Sequence, residues 1–594
     1  MTTEARNSRS LKHPARIAPW MGLALLVMAC GPAGGAAPGG GSSAAKPAQT
    51  GPKTMNMQLQ EEPVTMLLYG RPGEGGTTTA RYERFYEMQA QLTRFAEDTN
   101  PIPWAAVKVP TIEDGDWKLN PDGSMVVTWK IRPDVYWHDG QPLVADDFVF
   151  GLEVVKDPKL AVSGLGELTK ITGVTAPDPK TLVVNWKSLS VNANTNSTEG
   201  VPAIPKHQVE QIYKTADVDS FQGSQVWRTE FIGYGPYKLS SWNLGAGYII
   251  EAFDKYFLGR PKIDRITFQY APDPQVITAR LLSGAIDMVP PGTTIKPEQM
   301  VQIKQQWGPD GGVAVAAPND LRVLHINERD QSKPWATDPR FRQAMLLSIN
   351  RPDLAQVLQY GFIEVSYFFG FPKDPTYKMA LDRKVDKWDY DPKRAAQLFS
   401  AAGWNKGSDG LLHNAAGQVV PTFTCCRLAS NQDSNDIRES LAIGTGLKEQ
   451  GVDAQHPVPD APAAMAAADA RKFRALSDTG ATFGNYRVVA DQHWASFVAV
   501  QIPTEENKWQ GLNSAIWQDA KYEDLFSKAQ STLNFSQRTD IQFQMLQIMM
   551  DQLPALPTYY NPLGLVYRKG VTGVGTGIPL NRGIMWNIET WDIQ

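Results

Sequence analysis

Between residues 126 and 152 the pattern of apolar and polar positions changes period. Val127, Trp129 and Ile131 alternate with Thr128, Lys130 and Arg132, the period of two expected of a strand buried on one face. Asn120-Pro121-Asp122-Gly123 ahead of it supplies the restricted and positive φ values of a tight turn, so a hairpin is expected. After Arg132-Pro133 and the turn residues His138-Asp139-Gly140-Gln141-Pro142, the apolar positions fall three or four apart at Ala145, Phe148, Leu152 and Val155. That spacing predicts a helix.

Both periods recur downstream. Thr181 to Trp186 (TLVVNW) reads as a second strand, and residues 242–268 alternate as short strands. Asp338-Pro339 and Asp391-Pro392 each offer an N-cap and a proline at N1, followed by inward faces at Phe341, Ala344 and Met345 and at Ala395, Leu398 and Phe399. Gly403 is placed to close the second of these helices. Residues 522–533 and 538–551 read as amphipathic helices, and Pro554 to Pro557 breaks into a final extended region. Strand and helix patterns alternate throughout, which predicts an α/β (α+β) class. With 594 residues the chain is too long for one core, and two or three lobes are expected.

Composition changes the picture mainly at the N-terminus. Arg6, Arg9, Lys12 and Arg16 precede an apolar run from Ile17 to Ala29 that is too short to span a membrane and reads as a secretory leader. It ends in Val27-Met28-Ala29-Cys30-Gly31, similar to a bacterial lipobox, so Cys30 is the expected lipidation site. The Gly, Ala, Pro, Ser and Lys composition after it suits a flexible tether with a reach on the order of 25–30 Å. Without residues 1–29 the formal charge moves from −4 to −7, because four basic residues and Glu4 leave together. A mildly acidic body with no basic cluster argues against nucleic acid as a partner. Of the three cysteines only Cys425 and Cys426 remain in the body. Adjacent cysteines cannot clamp distant segments, and the pair reads as buried small hydrophobes or a vicinal disulfide.

Seven ordered motifs resemble the extracellular solute-binding proteins of family 5, the peptide, nickel and oligosaccharide receptors of ABC importers. They are Ile131-Arg132-Pro133 with His138-Asp139-Gly140, Pro142 and Ala145-Asp146-Asp147-Phe148; Gly233-Tyr234-Gly235-Pro236-Tyr237; Asp254 to Pro261; Leu281 to Met288; Asp338-Pro339 with its helix; Tyr390-Asp391-Pro392; and Ala402-Gly403-Trp404. The family commonly has Thr where Val144 stands, so this helix lacks its usual cap and should lean on Asp146 and Asp147 at the positive end of its dipole.

The resemblance implies a two-lobed, periplasmic-binding-protein-like clamp of type II with an extra subdomain in lobe I. Its expected parts are a lipoprotein signal peptide at 1–29, the lipidated Cys30 and linker at 30–55, lobe I at 56–320 with a subdomain at about 105–232, lobe II at 321–557, and a return to lobe I at 558–594. It also implies ligand-binding residues in three places: Tyr69 and Arg71, Arg427 and Asn431, and Phe483, Asn485 and Tyr486. Peptide receptors of the family carry an Asp in the last segment for the peptide's amino terminus. None stands between Gly480 and Tyr486, which turns the expectation toward a sugar or other neutral polar ligand held by stacking and amide hydrogen bonds.

Catalysis is not expected, since the chain shows no G-x-S-x-G elbow, no H-E-x-x-H and no P-loop. Gly573-Val574-Gly575-Thr576-Gly577 lacks a following helical pattern and reads as a hairpin. His138-Asp139 sits in a turn with no further ligand nearby and reads as structural, as does His493-Trp494, so no metal and no cofactor are implied. The expected role is a monomeric substrate-binding lipoprotein that captures a peptide-like or oligosaccharide-like solute and delivers it to an ABC permease in the cytoplasmic membrane. The alternative is a ligand-sensing or chaperone-like lipoprotein on the same scaffold, without transport.

Overall fold

The computed structural model describes residues 51–594 apart from Val64, 67–84, 96–100, Ala161, Ser163, Gly164, 197–199, 291–294, 426–433, 457–461, 463–464, Asp478, 488–491 and 576–583. The expected leader, Cys30, most of the tether, Tyr69, Arg71, Cys426, Arg427, Asn431 and part of the Gly573 to Gly577 run lie outside the described residues.

The protein is a mixed α/β clamp organised on one eight-stranded sheet. Its strands in chain order are β1 (Thr54–Leu59), β2 (Tyr237–Asn243), β3 (Gly247–Ala252), β4 (Arg265–Tyr270), β5 (Met288–Val289), β6 (Gly312–Ile326), β7 (Ala481–Arg487) and β8 (Ala555–Arg568). In space they run β7-β6-β8-β5-β1-β4-β3-β2. β1 lies parallel to β4 and β5, and the remaining pairs are antiparallel.

The long strands β6 and β8 pair from Gly312↔Arg568 to His325↔Ala555, with register shifts between Pro318 and Asp320 and between Leu321 and Val323. At the first shift Pro318 faces Pro562. Neither can donate to the ladder, so the pairing is weakest there. The hydrophobic cores separate at the same place. On one side a core gathers residues from Met55 to Met288 with Leu565 to Ile593, beside a smaller cluster around Ile277, Ile303 and Val566. On the other side a second core runs from Leu321 to Tyr560.

The period change of the opening stretch is realised in a separate four-stranded sheet, ordered Trp117–Leu119, Met125–Lys130, Thr181–Trp186, Ile171–Asp178. The expected hairpin forms, with Gly123 at φ +83 in its turn and Trp117 opposite Val127. Val127, Trp129 and Ile131 are buried. Helix α1 (Ala145–Lys156) follows, and Val144 makes no side-chain cap. Asp147 compensates more fully than a dipole contact alone: its carboxylate accepts from Val144 N (3.0 Å), Trp137 Nε1 (3.0 Å) and Lys206 N (3.1 Å). Burial still pushes this carboxyl above its usual range.

His138 holds this sheet region to the loop before β2. Its Nδ1 accepts from Gly233 N at 3.1 Å, its Nε2 lies 3.2 Å from Gly235 O, and its own N–H donates to Gly233 O at 2.8 Å. An accepting Nδ1 requires the neutral ring, and desolvation accordingly lowers its pKa to about 3. Gly233 is needed for close approach, since a Cβ there would lie 1.9 Å from Met88 O. Asp139 turns away, accepting from Gln141 N and meeting His207 Nε2 at 2.8 Å.

The expected helix starts are present at α2 (Pro339–Leu347) and α3 (Pro392–Ala401), where Asp338 accepts from Arg340 N and Asp391 from Lys393 N and Arg394 N. Gly403 adopts φ +86 just past α3. The two late helices form at Ala520–Ser531 and Phe535–Gln552. Cys425 is fully buried and disulfide-bonded, which corrects its reading as a free small hydrophobe; its partner lies outside the described residues.

Candidate ligand-binding site

β7 ends the large sheet, with β6 as its one strand neighbour among the described residues. Asn327 N donates to Gly480 O, and the register continues as His325↔Thr482, Val323↔Gly484 and Leu321↔Tyr486. Hydrogen-bonded and non-bonded pairs alternate in an antiparallel ladder, so these pairs carry the bonds to β6. The N–H and C=O groups of Phe483 and Asn485 therefore point out from the edge. A cavity of about 290 Å³ opens beside this edge, lined by His325, Phe483, Gly484, Asn485, Tyr486, Ser496, Gly511, Leu512 and Ser514.

The period of two sends the expected site residues to opposite faces of β7. On one face lie Phe483 and Asn485 with Arg322 of β6. Arg322 is 6% exposed. Its Nε and Nη2 reach Glu439 Oε2 at 3.0 and 2.8 Å, and Nη2 reaches Asp436 Oδ1 at 2.7 Å, both acids on α4 (Ser434–Glu449). Its guanidinium lies 4.1 Å from the centroid of the Phe483 ring, and Nη1 donates to Asn485 Oδ1 at 3.3 Å. Burial opposes its charge, yet neighbouring Glu439 holds its pKa above the ordinary arginine value. Burial pushes the Glu439 carboxyl upward, with Arg322 opposing. Asn561 Nδ2 also donates to Asn485 Oδ1, at 2.9 Å. With its oxygen taken by two donors, exposed Asn485 has its amide N–H groups left to offer a ligand acceptor.

On the other face lie His325 and Tyr486. The Tyr486 hydroxyl sits 2.9 Å from His325 Nε2, with the rings edge-on at 5.1 Å and Phe497 against both. Burial lowers the His325 pKa to about 3 and raises that of Tyr486, so both are neutral. Gly484 makes room for the imidazole, because a Cβ there would stand 2.2 Å from His325 Nε2. Tyr486 is thus a core residue whose hydroxyl is engaged, while Phe483 is half-buried over Arg322.

Of the seven expected ligand residues, Phe483, Asn485 and Tyr486 come together on β7. His325, Ser496, Leu512, Ser514 and the positioning residues Arg322, Glu439 and Asn561 were missed. One signal was available: Arg322 is a lone charge in the apolar run Leu321, Val323, Leu324, Ile326, and a charge buried in a strand must be paired. His493 packs on Trp494 at 4.3 Å between ring centroids, and its pKa is lowered to about 3 by burial.

Two hydrophobic cores joined by long shared strands, with a polar cavity beside the sheet edge, make up a two-lobed clamp. Residues 108–483 match the family described as bacterial extracellular solute-binding proteins, family 5 Middle. The chain belongs to that family. It is 28% identical over 326 residues to the oligopeptide-binding protein AppA of Bacillus subtilis (strain 168), covering 54% of this chain and 56% of AppA. It thus spans about half the length of the first curated relatives it matches. It is 23% identical over 464 residues to the glutathione-binding protein GsiB of Shigella dysenteriae serotype 1, covering 76% and 81% of the two chains. In structure it is similar to NikA from Brucella suis, solved in complex with Fe(III)-EDTA, with a TM-score of 0.71 at 16% identity over 91% of this chain and 100% of that one.

Proposed function

We propose that this chain is the extracytoplasmic solute receptor of an ABC importer, anchored through a lipid on Cys30, which closes on a peptide-like solute and presents it to a membrane permease. It works by binding, as a monomer, and without catalysis. Lobe I comprises 56–320 and 558–594, lobe II comprises 321–557, and the facing prolines Pro318 and Pro562 mark the flexible point between them. Closure is a population shift, in which ligand favours the state where both lobes touch it.

The observation that carries the peptide reading is the outward N–H and C=O of Phe483 and Asn485 on the open edge of β7, above a cavity. Alternate residues of a strand repeat every ~6.8 Å, the repeat of an extended peptide lying alongside, which sugars and metal chelates do not share. The names of the relatives AppA and GsiB point the same way. The test is calorimetric titration of the mature chain with mixed pentapeptides, maltotriose and nickel–histidine. Peptide binding at micromolar affinity or better, with no response to the other two, is expected. Binding of maltotriose or the nickel complex in place of peptides would overturn the peptide reading.

A further inference from the structure

We infer that the cavity beside β7 is a side-chain subsite that admits one uncharged side chain of a strand-bound peptide and rejects Lys, Arg, Asp and Glu. The inference rests on the peptide reading above and adds the chemical class of residue that the site selects.

Size comes first. At about 290 Å³ the cavity is at the small end of ligand pockets, which run ~300–1,000 Å³. It has no room for a whole pentapeptide, so the rest of such a ligand must lie along the strand edge. Side chains of a strand alternate between its faces, so a peptide paired to β7 would turn every second side chain toward the face that carries His325 and Tyr486.

Charge decides the rest. The floor is built from His325, Tyr486 and Ser496, at 3%, 7% and 2% exposure, and the mouth from Leu512, Ser514 and Asn485. Among the described lining residues none is Asp, Glu, Lys or Arg. Arg322, which adjoins the lining residues Phe483 and Asn485, is paired with Glu439 and Asp436. The imidazole is neutral and bonded to the tyrosine hydroxyl, and burial keeps it so. A charged side chain placed here would lose water and meet no counter-charge among the described lining residues. An amide, hydroxyl or aromatic side chain would find polar edges and an apolar wall.

The experiment is a titration of the mature chain with pentaalanine in which each position in turn is replaced by Leu, Phe, Gln, Lys or Glu. At one position or at alternate positions, the uncharged residues are expected to bind at least roughly tenfold more tightly than Lys or Glu. Ser514 is exposed at the cavity mouth, so Ser514→Asp should fold and should invert that preference in favour of Lys. Leu512→Lys, also at the mouth, should invert it in favour of Glu. Binding with no discrimination of charge at any position, or inversion by neither variant, would overturn the inference and leave the peptide reading standing. Failure of every peptide to bind would overturn both.

Discussion

His138 and His325 are both kept neutral with pKa values lowered to about 3, yet they belong to regions of opposite kind. His138 sits in the most recognisable motif of the chain, and backbone groups of Gly233 and Gly235 take up both of its ring nitrogens. It can offer nothing to a ligand. His325 sits in an unremarkable apolar strand, touches a tyrosine hydroxyl and forms part of the floor of a cavity. Bonds to the backbone of a nearby glycine turn leave a local pattern that one sequence shows, whereas a cavity assembled from β6, β7 and separate loops leaves little.

The sharpest test of that contrast is Gly233→Ala. The added Cβ would meet a backbone carbonyl at 1.9 Å, so the cost should exceed ~4 kcal/mol in a denaturant titration, the range reserved for severe steric or burial defects. Whatever folded fraction remains should bind ligand normally. Arg322→Ala comes next, with an expected loss of ~3–5 kcal/mol because Glu439 is left as an unpaired buried charge. Unlike the glycine variant it should also weaken ligand binding, since it removes one of the two donors that fix the Asn485 amide and the cation stacked on Phe483. If Arg322→Ala leaves affinity unchanged, the Arg322 cluster serves only the core.

Replacing the two histidines separates the regions directly. His138→Ala strips Gly233 N–H and Gly235 C=O of their partner, and each unsatisfied group costs ~1–3 kcal/mol. His325→Ala enlarges an existing cavity and should cost less stability, while binding weakens. The reverse pattern in paired stability and affinity measurements would exchange their roles.

What was legible follows from the same physics. The hairpin at Asn120 to Gly123, the Asp-Pro helix starts and the change of period after Pro142 depend on local backbone chemistry, and the structure has each of them. Phe483, Asn485 and Tyr486 are expected from the order of motifs, and the structure sets all three on one strand. Their division between two faces of β7 follows from a register that only β6 supplies. Ser496 and Ser514 could not be found, because short loops carry no period. Glu439 reads as one more charge on a helix until Arg322, 117 positions earlier, is seen against it.

Acid should expose the shared property of the histidines. His138, His325 and His493 each have a folded pKa near 3 against an ordinary 6.5. Between those values the unfolded chain binds protons that the folded chain refuses, so stability falls as pH drops from 6.5 toward 3, by at most ~1.4 kcal/mol per pH unit for each histidine. Glu328 runs the other way: burial raises it to about 7 from 4.5, so its contribution is complete below 4.5 and is lost as pH rises through 7. His325→Ala should remove one histidine's share of the acid slope. An unchanged slope in denaturation series from pH 4 to 6 would mean that the His325 ring already protonates in the folded state.

The smallest expected effect is that of Tyr486→Phe, and it bears most directly on the cavity. The ring stays packed against Phe497 at 5.0 Å, so only the hydroxyl and its bond to His325 are lost, at ~0.5–1.5 kcal/mol of stability. The imidazole is then free to turn its polar edge toward the cavity. Affinity for peptides that place Gln at the subsite should change by a few-fold, while affinity for Leu at the same position should hold, because the apolar wall is untouched. Equal changes for Gln and Leu would mean that the hydroxyl supports the packing of β7 and has no part in selecting the ligand, which would make His325 scaffold, as His138 is.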